Sequence, residues 1–283
     1  MSGQLWQVGF VVWRESVEAL LIIAILDAWL VHAQEARSIG HGRRFIGLGV
    51  VAGLVLAVLL GSAFLALGEV LPEEGQDIFN TVMVFAAAGL IVQMIFWMRA
   101  NARNLKSHLE STARRTVERA GLWGVSVLVA VAVAREGAET AVFLYGILGA
   151  AGSEAWKAVL AGLAGFALAL CTYALIRLGG RRLSWKHFFG ATEVMLLFLV
   201  AALVMSGFDH LISLGLIPAP GGALWDSSFL IDDATIWGGL IASLTGYRAR
   251  PDLVSLTVYI LYWMLMLLAL RSSGTSPARR ASA

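Results

Sequence analysis

The chain has 283 residues, of which 59% are hydrophobic and only 14% charged, and its mean hydropathy is +0.78. A soluble domain carries roughly a quarter of its residues as charges. These figures therefore exclude a disordered chain, a nucleic-acid binder and an ordinary water-soluble enzyme, and they indicate an all-α integral membrane protein in the lipid bilayer. The lone cysteine, Cys171, excludes an internal disulfide, and no Cys/His spacing suits zinc. Met1 to Gln7 lacks a basic stretch, so no cleaved signal peptide is expected.

A bilayer core about 30 Å thick takes about 20 apolar residues per helix. Seven spans are predicted in chain order, at 7–31, 45–68, 78–98, 122–149, 156–177, 188–208 and 253–270. The five prolines, Pro72, Pro218, Pro220, Pro251 and Pro277, all fall outside them, as helix boundaries require. The connections after spans one, three and five, with the tail, hold 16 of the 21 basic residues, Arg37, Arg43, Arg44, Arg99, Arg103, Lys106, Arg114, Arg115, Arg119, Arg177, Arg181, Arg182, Lys186, Arg271, Arg279 and Arg280. Positive loops stay in the cytoplasm, which predicts an outside N-terminus and a cytoplasmic C-terminus. The opposite loops are acidic, with Glu69, Glu73, Glu74 and Asp77 between spans two and three and Asp209, Asp226, Asp232, Asp233 and Asp252 before span seven. These acids serve loop solubility or a cation-attracting vestibule. Of them, Glu73, Glu74 and Asp77 suit first capture of a metal best, and Asp209 with His210 is a weaker candidate. Phe229 to Leu244 reads as a short helix on the outer face.

Two basic residues, Arg14 and Arg135, lie inside apolar spans, and both open one pattern. Span one reads Arg14-Glu15-Ser16-Val17-Glu18 and span four reads Arg135-Glu136-Gly137-Ala138-Glu139. From this composition Arg-Glu-x-x-Glu is expected about 0.03 times by chance. The two copies begin equivalent three-span units that enter from opposite sides. The expected architecture is thus two inverted three-helix repeats, 1–98 and 122–208, an extracytoplasmic loop at 209–252, a seventh helix at 253–270 and a cytoplasmic tail at 271–283. Inverted repeats with a site near the midplane are a recurring transporter plan.

The spacing puts Glu15 and Glu18 on one helix face and Arg14 one turn from Glu18, with the same relations among Arg135, Glu136 and Glu139. Together the six groups carry −2, which suits a multivalent cation. Unpaired at helix centres, they would cost on the order of 15–20 kcal/mol, and two structural staples would need only one glutamate per arginine. Carboxylates are hard ligands, suited to Mg²⁺, Ca²⁺, Mn²⁺ and iron. No Cys-, Met- or His-rich constellation stands beside the motifs in sequence, which argues against a route for a soft metal. Glu193, at the start of span six, is either a fifth pathway carboxylate or an interfacial acid favoured by its helix dipole. Asp27 points away from the motif face and reads as an exit-side or interfacial residue. Gly49-x-x-x-Gly53 and Gly162-x-x-Gly165 read as close-packing faces, and Trp6, Trp123, Trp156 and Trp185 as an aromatic belt.

The paired Arg-Glu-x-x-Glu helices, Thr192-Glu193-Val194-Met195, Leu224-Trp225-Asp226-Ser227-Ser228, Leu244-Thr245-Gly246-Tyr247 and Arg250-Pro251 together resemble the oxidase-dependent iron permease family, in its bacterial EfeU-like branch of iron/lead permeases. Ser16-Val17 stands where many members have a Gly-Leu-like pair. The resemblance implies a high-affinity permease of the cytoplasmic membrane that imports iron ions. It implies Glu15, Glu18, Glu136 and Glu139 as metal ligands, with Arg14 and Arg135 as companions, no permanently bound cofactor, and supply by an extracytoplasmic ferroxidase or EfeO/EfeB-like proteins. Two other readings stay open, a carrier for another divalent cation such as manganese or lead, and a membrane metal sensor without transport. An intramembrane enzyme is not expected, since neither His-Glu-x-x-His nor Gly-x-Ser-x-Gly occurs.

Overall fold

The computed structural model describes residues 2–33, 39–101, 105–148, 155–179, 185–218 and 221–274. The basic residues Arg37, Arg103, Arg181, Arg182, Arg279 and Arg280, with Pro220 and Pro277, lie outside the described residues, as do the side chains of Glu73, Lys106, Arg177, Trp185 and Lys186. Eight helices are described, α1 (Ser2–Ala33), α2 (Ile39–Val70), α3 (Glu73–Asn101), α4 (Leu105–Leu148), α5 (Ala155–Gly179), α6 (Trp185–Ser213), α7 (Ile236–Thr245) and α8 (Leu253–Gly274). Helices satisfy every backbone group internally, which is what a chain crossing hydrocarbon must do. Each of the seven expected spans lies, over its described residues, in one of the long helices. Six of these, α2 to α6 and α8, are long and apolar enough to cross a membrane by composition alone. The seventh, α1, has the length but carries Arg14, Glu15, Glu18 and Asp27.

Two features differ from the sequence reading or sharpen it. The basic stretch before span four is helical rather than a loop. α4 has two arms that meet at Gly121, whose backbone (φ 62°, ψ −155°) breaks the helix; glycine reaches that region without steric cost. The turn is tight, because a Cβ at Gly124 would lie 2.9 Å from the Thr116 carbonyl oxygen. The short helix expected over 229–244 is α7, which begins only at Ile236, the residues before it forming turns. The Thr235 hydroxyl caps it by accepting from the Gly238 amide at 3.1 Å, and Gly246 closes it at φ 74°.

Small residues set the helix packing. A Cβ at Gly53 of α2 would lie 2.7 Å from Val133 Cβ and 2.8 Å from the Ala130 carbonyl oxygen of α4, and one at Gly49 would meet Ser126 and Val129. On the opposite face, Gly165 of α5 lies against the Gly9 carbonyl of α1, and Trp13 donates to Thr172 at 3.0 Å. Residue order rises together in both pairs, so α2 runs parallel to α4 and α5 parallel to α1. Much of α2 is exposed apolar surface, Leu48, Val51, Leu54, Val58 and Leu65 among it, which suits lipid. Trp6, Trp123 and Trp156 are exposed near helix ends.

Two apolar clusters form the interior. The first joins Val8 and Val11 of α1 to Ile91 and Ile95 of α3, Phe143 and Ile147 of α4, Leu199 of α6 and Tyr262 of α8. The second joins Leu26 and Leu30 of α1 to Ile46 of α2 and to Ala113, Val125, Val129 and Val133 of α4. α1 passes from the first cluster to the second and α4 from the second to the first, so the two helices are antiparallel. Each crosses the seam between clusters at its charged motif.

Candidate metal centre

Arg14 and Glu15 are buried at that seam, Arg14 only 1% exposed. Arg14 Nη1 donates to Glu15 Oε1 at 2.6 Å, and Nη2 forms an ion pair with Glu18 one turn on. The α4 motif is arranged differently. Arg135 is 49% exposed, its Nε donates to Glu139 Oε1 at 2.9 Å, and its guanidinium lies 5.2 Å from the centre of the Trp97 ring. Side chains on a helix lean towards its N-terminus, so Arg135 reaches along α4 to the end of α3 that carries Arg99, as a long basic side chain does when it snorkels. Glu136 turns inward and is buried. Gly137, set against Ala57, lets α2 approach directly behind it.

One carboxylate oxygen from each of Glu15, Glu18 and Glu136 lies within 4.8 Å of the others. Glu15 Oε2, Glu136 Oε2 and Glu139 Oε2 are buried without a hydrogen-bond partner. A buried polar atom left unsatisfied costs about 1–3 kcal/mol, and more when charged. A cation bound among these oxygens removes that cost, and oxygen donors at such spacing suit a hard or borderline divalent ion. Carboxylates from α1 and α4 therefore form one buried cluster, and Glu139 is tied to Arg135.

No methionine stands beside the motifs along the sequence, but the fold brings two methionines of α3 to Arg14. Arg14 Nη1 contacts Met94 Sδ at 2.7 Å and Nη2 contacts Met98 Sδ at 3.0 Å. The signal was an i,i+4 methionine pair in span three, but its nearness to Arg14 arises from the crossing of α3 and α1, which span-by-span reading does not supply.

Glu193 is held elsewhere. Arg99 Nε donates to Glu193 Oε1 at 2.6 Å, and Arg99 also reaches the Leu270 carbonyl oxygen at 3.5 Å. This ties α3, α6 and α8 together at one end of the bundle. Asp27 pairs with Arg43 at 2.9 Å. Glu74 and Asp77 are exposed at the start of α3, and neither belongs to a metal-sized group among the described residues.

The acids before α8 are tied into the loop. Asp209 pairs with Arg248, Asp226 with Arg250 at 2.9 Å, and Asp233 accepts from the Ala249 amide at 3.1 Å. Asp226 is held below the usual carboxylate range by hydrogen bonds from the Ser228 hydroxyl and amide, with Arg250 adding to them. Gln7 donates to the Ser243 carbonyl and fixes α7 on the start of α1. A cleft of about 420 Å³ opens there, lined by Gly3, Asp233, Thr235 and Ser243 but by no motif residue.

The sequence profile of the iron permease FTR1 family matches residues 5–273. Relatives include the ferrous iron permease EfeU of Escherichia coli O6:H1, 28% identical over 263 residues that make up 92% of each chain. EfeU of Shigella sonnei is 28% identical over 260 residues, 90% of this chain and 91% of its own. EfeU of Yersinia pestis is 26% identical over 255 residues, 89% of this chain and 88% of its own. No solved structure matches significantly.

Proposed function

The chain belongs to the iron permease FTR1 family, and from that premise and the geometry of the carboxylate cluster we propose that it imports iron ions through a site near the bilayer midplane shared by both Arg-Glu-x-x-Glu motifs. It is a multi-pass protein of the cytoplasmic membrane, and its family is one of permeases rather than enzymes.

The observation that carries the proposal is the meeting of Glu15, Glu18 and Glu136 within 4.8 Å, with buried carboxylate oxygens left unpartnered. These three are the proposed ligands. Glu139 joins them when it leaves Arg135, and Arg14 keeps the empty site from being too negative. The related proteins named ferrous iron permease support iron as the cargo. Glu74 and Asp77, with Glu73, are proposed for outer capture. Supply by an extracytoplasmic ferroxidase or EfeO/EfeB-like proteins rests on the family resemblance.

The inverted repeats 1–98 and 122–208 are part of the proposal. A pseudo-two-fold that exchanges α1 with α4 and α2 with α5 requires α1 and α4 antiparallel. It also requires the α2–α4 and α5–α1 pairs to match, and both are parallel and built on glycine faces. Such a pair of halves rocking about a central site gives alternating access. The N-terminus is proposed outside, with the loop 209–252 on the same side, the helix 253–270 after it and the tail 271–283 in the cytoplasm.

The test is uptake of iron-55 in cells making wild-type protein or the Glu15→Gln, Glu18→Gln, Glu136→Gln and Glu139→Gln variants at equal membrane abundance, with and without ascorbate. The first three lose uptake, Glu139→Gln retains part of it, and ascorbate identifies the oxidation state carried. Wild-type uptake by all four variants would refute the shared site.

A further inference from the structure

We infer that Met94 and Met98 form a thioether flank of the carboxylate cluster and make it favour a borderline-soft dication, ferrous iron, over harder ions of equal charge. The inference rests on the transport reading and adds a determinant of selectivity to it.

Both sulfurs are buried and both face the guanidinium that neutralises the site. Through Arg14 Nη1, contacts of 2.7 and 2.6 Å link Met94 Sδ to Glu15 Oε1. Through Nη2, a 3.0 Å contact to Met98 Sδ leads to the ion pair with Glu18. Each terminal nitrogen of Arg14 thus divides its hydrogens between one carboxylate and one thioether, while Nε is buried without a partner.

A guanidinium is most strongly held by oxygen, and a thioether is a weak acceptor. Leucine at either position would fill the volume and leave a buried N–H unpaired. Glutamine would pin Arg14 with a strong acceptor and present a hard oxygen to any cation. Methionine satisfies the arginine loosely and offers a neutral, polarisable donor. When a dication takes the carboxylate oxygens that Arg14 now holds, only two weak contacts keep the guanidinium in place. It withdraws, and the sulfurs then face the ion. Soft donors add affinity for Fe²⁺ more than for Mn²⁺, and little for Mg²⁺ or Ca²⁺.

The test uses the full chain in proteoliposomes, with uptake of Fe²⁺ (held reduced by ascorbate) and of Mn²⁺ measured on wild type and on Met94→Leu/Met98→Leu. The variant is expected to lose about tenfold in Fe²⁺ uptake at limiting ion, the scale on which supporting groups tune metal affinity, while Mn²⁺ uptake changes by less than about twofold. Iron K-edge absorption of the Fe²⁺-loaded wild type is expected to show a sulfur neighbour that the variant lacks. An unchanged Fe²⁺/Mn²⁺ ratio, equal loss of both ions, or a spectrum with only oxygen and nitrogen neighbours would overturn the inference. If wild-type liposomes carry neither ion, the transport reading fails, while the absorption spectrum of the bound iron still decides for or against the thioethers.

Discussion

Replacing Arg14 by methionine removes a fully buried cation from two acidic partners. At an effective dielectric near 20, unit charges 2.6 Å apart attract by about 6 kcal/mol, and desolvation of both groups offsets part of this. Breaking one side of such a buried pair leaves an uncompensated charge and costs about 3–5 kcal/mol. The same substitution at Arg135 acts on a half-exposed side chain with one carboxylate partner and a ring contact, and there the loss is about 1 kcal/mol or less. Two arginines in identical motifs therefore differ in effect by a few kcal/mol. The assay is unfolding of purified Arg14→Met and Arg135→Met by titration with sodium dodecyl sulfate in mixed micelles, followed by near-ultraviolet circular dichroism. Arg14→Met/Glu18→Gln serves as rescue, because it removes one of the stranded carboxylates. Equal destabilisation by the two single variants, or a loss below about 1 kcal/mol for Arg14→Met, would refute the asymmetry.

Gly53→Ala places a methyl group 2.7 Å from Val133 Cβ and is expected to destabilise the α2–α4 pair by about 1–3 kcal/mol; the same titration reads it, and a neutral result would show that the helices do not meet as described. Glu193→Gln is expected to leave iron binding near wild type and cost about 1 kcal/mol or less of stability, because its partner Arg99 is 38% exposed; loss of binding would instead make Glu193 a ligand. Asp226 has its folded pKa lowered, so its contribution is present above its unfolded pKa and is lost as pH falls through the folded value. The loop before α8 should therefore keep its protection in hydrogen exchange at pH 5 and lose it only in stronger acid, whereas Asp226→Asn should loosen it at every pH; wild-type loosening already at pH 5 would contradict the hydrogen-bonded geometry.

Much of this protein is determined along single helices and is legible there. Seven apolar stretches specify the long helices, since hydrocarbon leaves the backbone no other partners. The i,i+3 and i,i+4 spacings place Glu15 beside Glu18 and Arg135 beside Glu139 whatever the neighbours are. Gly49, Gly53 and Gly165 announce close packing, though not against which helix, whereas Gly162 meets only an ordinary contact with Val12. The helical character of 105–120 was hidden by its charge, which reads as a loop until Ala113 is seen against Leu26, Leu30 and Ile46.

What depends on which helices cross, and at what height, was settled only by the tertiary structure. The two motifs are equivalent as strings, yet Arg14 is enclosed by α3 and α1 while Arg135 leans out over Trp97. Glu136 comes to Glu15 and Glu18, and Glu139 stays with its own arginine. Met94 and Met98 reach the charged cluster, and Glu193 is taken by Arg99. Periodicity within a helix follows from backbone geometry alone, but a contact between helices depends on packing along their whole length, and no local pattern encodes it.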